Sequence, residues 1–209
     1  MKRITVYGAA VGLFLFPVAM TLVQGQNTGQ GAGGFRQQHK QESQAFREEE
    51  QKARKEFRKS LEGKTPEEKR AAIKSFHGKE YQERKAFYEQ QHRENIDFLK
   101  QRLSANTRLN DAQKEELINF FENQYKENVS FRDQQHNTNV AFFEQIANNA
   151  NMTQEQKKKA IKAHFQEQKT QNKEHRQEQK AKRKAEREKI HSEIKAQTQN
   201  AGAAPAETK

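Results

Sequence analysis

The residues best equipped for chemistry in this chain are its seven histidines: His39, His77, His92, His136, His164, His175 and His191. An imidazole can ligate a metal ion, carry a proton, or gain positive charge in mild acid. A zinc-type site would need two of them brought together with a carboxylate. No two stand four residues apart and no HExxH occurs, so no single helix supplies such a site. His92 and His136 are the weak metal candidates. Each closes a duplicated Gln-Gln-His, with Glu94 or Asn137 beside it. The plainer expectation is that they are half-exposed polar groups on long helices.

Other chemistry is absent. The few serines lack a nucleophile-elbow context. The glycines of GQGAGG precede no strand and lack the Lys-Ser/Thr ending of a phosphate loop. Carboxylates alternate with Lys and Arg at helical spacing, as where Glu48, Glu49 and Glu50 precede Lys52, Arg54 and Lys55. That is the pattern of a solvated helix surface. Without cysteine, thiol and disulfide chemistry are excluded. The sequence suggests no enzyme and requires no cofactor.

The elements that must position these groups follow from a count of eleven. Phe76, Phe87 and Phe98 are 11 residues apart, and the count continues through Leu109, Phe120, Phe131 and Phe142; an earlier run reads Phe35, Phe46, Phe57. Eleven residues are close to three turns of α-helix, so each ring returns to nearly the same face. The predicted fold is all-α, built of long antiparallel helices joined as hairpins. Helices are expected over about 35–61, 66–103, 111–147 and 154–194.

Their starts are signalled. Gly63 suits a left-handed cap. Thr65 and Glu68, Asn110 and Gln113, and Thr153 and Gln156 each have capping-box spacing. The bodies repeat at an offset of 44: Phe87, Gln90-Gln91-His92 and Phe98 match Phe131, Gln134-Gln135-His136 and Phe142. A third copy has exchanged most apolar positions for Lys, Arg and Gln. Ile96, Val129 and Val140 lie about 200° from the next clock position. Either both sides of the middle helices pack, or one stays exposed for a partner. The last helix has only Ile161, Phe165, Ile190 and Ile194 as large apolar residues and is expected to project or fray beyond about Thr170.

Residues 1–25 have a basic start, an apolar run from Tyr7 to Val23 and small or polar residues after it, the layout of a secretory signal peptide. Residues 26–34 read as a flexible leader and 197–209 as a disordered tail. Removing 1–25 leaves 37 basic against 28 acidic residues. Lys157 to Lys189 holds 13 Lys or Arg against five Glu, a local net of +8. Such a surface attracts acidic partners, among them an anionic membrane surface; export disfavours nucleic acid. With 32% hydrophobic residues, no large globular core can form.

Two of the helix starts carry a resemblance. Leu109-Asn110-Asp111-Ala112-Gln113 and Met152-Thr153-Gln154-Glu155-Gln156 resemble the LTxxQ motif of the Spy/CpxP family of periplasmic stress proteins; Thr65-Pro66-Glu67-Glu68 is a weaker copy. Asn110 stands in place of Thr, and Met152 in place of Leu. The resemblance implies a cradle-shaped helical homodimer in the periplasm that holds unfolded or envelope proteins without ATP. On that footing the expected client-binding residues are Phe120, Phe121, Phe131, Phe142 and Phe143, with Lys157, Lys158, Lys159 and Lys162. The competing expectation is a coiled-coil-like envelope spacer whose basic last helix contacts membrane or polyanions.

Overall fold

A computed structural model describes residues 31–202; the expected signal peptide, leader residues 26–30 and tail residues 203–209 lie outside the described residues. The fold is all-α: α1 (Ala32–Ser60), α2 (Pro66–Ser104), α3 (Asp111–Asn148) and α4 (Gln154–Gly202). Among the described residues no helix is long and apolar enough to cross a membrane.

The starts are built as the sequence indicates. Thr65 Oγ1 accepts from Glu68 N while Glu68 Oε2 accepts from Thr65 N. Asn110 and Gln113 exchange the same pair of bonds, as do Thr153 and Gln156. Each box satisfies two backbone donors that a helix start leaves without intrahelical partners. Pro66 stands at the first helical turn, where its missing N–H costs nothing. In the turn before it Gly63 has φ +76, a conformation that any side chain would strain.

Two expected boundaries are corrected. α1 begins at Ala32, inside the expected leader, because Gly34 and Phe35 N–H groups already bond the Gly31 carbonyl and Phe35 is buried on α2. α4 continues to Gly202, through the start of the expected tail.

Rings in register tie the helices into antiparallel neighbours. On α1 and α2, Phe35 stacks on Phe98, Phe46 on Phe87 and Phe57 on Phe76, with centroids 4.2, 4.3 and 4.0 Å apart and planes within 5° of parallel. One partner number rises by 11 as the other falls by 11, as antiparallel helices in fixed register require. α2 meets α3 five residues further round, at about 140° from the phenylalanine stripe. There Tyr81 stacks on His136 and His92 on Tyr125, each at 3.8 Å. α3 meets α4 through Phe131 on His175 and Phe142 on His164, at 4.0 and 3.9 Å. Both sides of α2 and α3 are therefore packed.

The main apolar cluster lies at one end. Ile96, Leu99 and Leu103 of α2, Leu109 before α3, Leu117 and Phe121 of α3, and Ile190 of α4 form one buried cluster, with Ile118, Phe120 and Ile194 against it. Away from this end the helix contacts are mainly rings, amides and charges, with Ile146 a buried aliphatic residue toward the other end of α3.

Candidate functional site

The third interface overturns the expected fraying of α4. Beyond Thr170, Gln171 bonds Gln135, and His175 Nε2 lies 2.8 Å from Asn128 Oδ1. Gln179 is 1% exposed; its side-chain amide donates to Glu127 and its backbone carbonyl accepts from Gln124. Lys182 reaches Glu127, Lys189 pairs with Glu116, and Gln113 donates to Glu193. Ile190 is fully buried. Side-chain amides and ion pairs dock this helix where large apolar residues are missing, and a criterion of apolar content alone could not see them.

The histidines are elements of these ladders. A carboxamide oxygen only accepts, so Nε2 is the protonated nitrogen of His175 against Asn128 and of His164 against Asn139, 2.8 Å away. Burial holds the imidazoles of His136, His164 and His175 below the ordinary histidine value, against the opposing pull of nearby Asp133, Glu167 and Glu178 respectively. His92 and His136, the sequence's metal candidates, are not brought together. They stack on different tyrosines, 11 residues apart along the α2–α3 hairpin, or about 16 Å. His92 instead has Glu122 Oε2 2.9 Å from its Nε2.

Charged groups fill the spaces between the rungs. Arg132 Cζ sits 4.6 Å from the Tyr88 centroid, and burial lowers its affinity for its proton. Tyr81 bonds Asp133. Burial first, and then this carboxylate partner, pushes the phenol well above its ordinary value. Asp133 is held low by Tyr81 and Lys85. Glu80 is raised by burial, but hydrogen bonds with His77 and Arg54 outweigh this and hold it low. Glu186, by contrast, is pushed up by burial and by Glu116.

The expected client-binding residues divide into three groups. Phe121 is 3% exposed in the apolar cluster and is withdrawn from that role; Phe120 packs partly against the cluster. Phe131 and Phe142 are half-buried, each with one face covered by a histidine. Phe143 is also half-buried, 6.0 Å from Phe165 of α4. Lys157 is half-buried, whereas Lys158, Lys159 and Lys162 are exposed and have no acidic partner among the described residues. Lys158, Lys162, Phe165 and Lys169 follow at i, i+4, i+7 and i+11, one face of α4. Among the described large hydrophobic side chains only Ile73 is exposed, at 39%. This stretch of the α4 surface is therefore rich in exposed lysine, with half-covered rings beside it.

Of the motif residues, Leu109 is core, Met152 is half-buried, and Asn110, Gln113, Thr153 and Gln156 are caps. Comparison with family models, with curated proteins and with solved structures finds no match to this chain.

Proposed function

We propose that this chain is an exported, ATP-independent binding protein of the cell envelope that holds unfolded or envelope proteins, acting as a chaperone or stress adaptor. The observation that carries the reading is the α4 face where exposed Lys158, Lys162 and Lys169, with no acidic partner among the described residues, flank half-buried Phe165, with Phe143 behind it. Exposed charge captures an acidic or unstructured chain at long range. Ring edges add weak apolar contact without the large exposed patch that would make the protein aggregate. Its resemblance to the Spy/CpxP family at Leu109–Gln113 and Met152–Gln156 supports the same reading, including periplasmic location and assembly as a dimeric cradle.

A second reading, an envelope spacer whose basic α4 contacts an anionic membrane surface or polyanion, is favoured by the fixed ring register along all three interfaces. One experiment separates the two. Residues 26–209, without nucleotide, are mixed with a denatured client, and light scattering is followed at stoichiometric ratios. Suppression that weakens in the Lys158→Glu, Lys162→Glu, Phe165→Ser variant, with helicity retained, supports the binding protein. No suppression at several-fold excess transfers the weight to the spacer.

A further inference from the structure

The α1–α2 interface holds a polar cluster that the ring ladder does not need. Between the Phe35–Phe98 and Phe46–Phe87 rungs, His39 and Glu42 of α1 meet Glu94 of α2, with one nitrogen and two oxygens all within 4.8 Å of one another. His39 is 1% exposed. Its Nε2 lies 3.2 Å from Glu94 Oε2, yet neither ring nitrogen nor that oxygen has a hydrogen-bond partner of good geometry. A buried imidazole with both nitrogens unsatisfied is costly and calls for an occupant.

Glu42 is held at both carboxylate oxygens and Glu94 at its other one. Gln38 donates to Glu42 Oε1 at 2.9 Å and Gln91 to Glu42 Oε2 at 2.6 Å, while Gln90 donates to Glu94 Oε1 at 2.9 Å. Outer partners of this kind fix the ligands around a metal ion.

We propose that His39, Glu42 and Glu94 bind one divalent transition-metal ion, with Zn2+ the best-suited occupant. A neutral imidazole and two carboxylates cancel a double positive charge in a half-buried place. One nitrogen with two oxygens suits zinc and its neighbours, whereas magnesium and calcium prefer oxygen alone. Three protein ligands leave a fourth position for water. A tetrahedron with bonds of about 2.0 Å has edges near 3.3 Å, so ligand atoms up to 4.8 Å apart must close in by as much as about 1.5 Å. Both carboxylates are only partly buried and can do so. Because the ligands come from two helices, the ion clamps α1 to α2.

The test is calorimetric titration of the purified, chelator-treated full chain with ZnCl2, with MgCl2 in parallel. The expected result is one Zn2+ per chain. Affinity should fall at least about tenfold in Glu94→Gln and in Glu42→Gln, variants that keep side-chain volume while circular dichroism verifies the helices. Zn2+ should also slow amide exchange at 38–43 and 90–95 in the wild type and not in Glu94→Gln. No zinc binding, binding undiminished in both variants, or Mg2+ binding as tight as Zn2+ would each overturn the assignment.

Discussion

The α1–α2 and α3–α4 interfaces use one geometry with two chemistries. Both are antiparallel, both place a stacked pair every 11 residues, and both keep ring centroids about 4 Å apart. On α1 and α2 each pair is Phe on Phe. On α3 and α4 each is Phe on His, while amides and ion pairs surround the rungs at both interfaces, Gln179 with Glu127 at the one and Arg54 with Glu80 at the other. The first pairing is hydrocarbon on hydrocarbon and independent of pH. The second preserves the register while bringing a titratable ring into the stacked pair itself. Ring shape sets the register, and the chemistry of the second ring sets the conditions under which it holds.

The largest test of the comparison removes a rung. Phe87→Ala takes away half of the middle Phe46–Phe87 stack, and a half-buried ring lost this way costs about 2 kcal/mol, below the range for a wholly buried one. The expected result is a lower thermal midpoint, with faster proteolysis within α1 than within α4. Equal loosening of both would mean that the two interfaces do not open separately.

Acid should do the reverse. Burial lowers the folded-state pKa of His164 and His175 on α4, and of His136 on α3, from the ordinary 6.5. Protonation then favours the unfolded chain. Their stabilising contribution is whole above about pH 6.5 and is lost as pH falls through that value toward the folded-state one. Glu167, and Glu178 with Glu127, temper the loss at His164 and His175, and the raised Glu186 moves in the opposite direction, favouring the fold as pH falls. Amide exchange corrected for intrinsic rates, compared at pH 7.5 and 5.5, should show protection lost over 164–182 more than over 46–57. A uniform change would break the distinction between the ladders.

A smaller effect compares equivalent caps. Thr65→Ala and Thr153→Ala each remove one capping-box acceptor, at about 1 kcal/mol. Thermal melts should show similar losses, since the two boxes have the same geometry. A much larger loss at Thr153 would mean that α4, with fewer apolar contacts, depends more on its cap.

How far this was legible in the sequence depends on which residues carried the signal. The phenylalanine count, Gly63 and the capping pairs indicate four long helices and their starts within a few residues, because caps and periodicity are local. Pairing of Phe35 with Phe98 needed the register between helices, which no local pattern states. The histidine ladder had a signal that goes unread when only apolar residues are counted. Continued past Phe142, the count of 11 reaches Thr153, His164 and His175, so two imidazoles occupy phenylalanine places. The docking of α4 beyond Thr170 was hidden for the same reason, being made by Gln171, Gln179 and Lys182. His39 carries no local signal beyond its residue type, because its partner Glu94 lies 55 residues away.

The sharpest test converts one interface into the other. His175→Phe would put a Phe–Phe rung between α3 and α4, matching Phe46 on Phe87. The exchange gains apolar burial and a ring pair worth about 0.5–1.5 kcal/mol, and loses the His175–Asn128 hydrogen bond, worth about 1 kcal/mol. Near pH 7.5 these nearly cancel, so the thermal midpoint should scarcely move. At pH 5.5 they do not, because the wild-type ring is then penalised for gaining charge in a half-buried stack and the phenylalanine is not. The variant should therefore melt higher than wild type at pH 5.5 and equally at pH 7.5. If the two proteins keep the same difference at both pH values, His175 is only a spacer in the ladder, and the acid sensitivity of α4 must come from His164 alone.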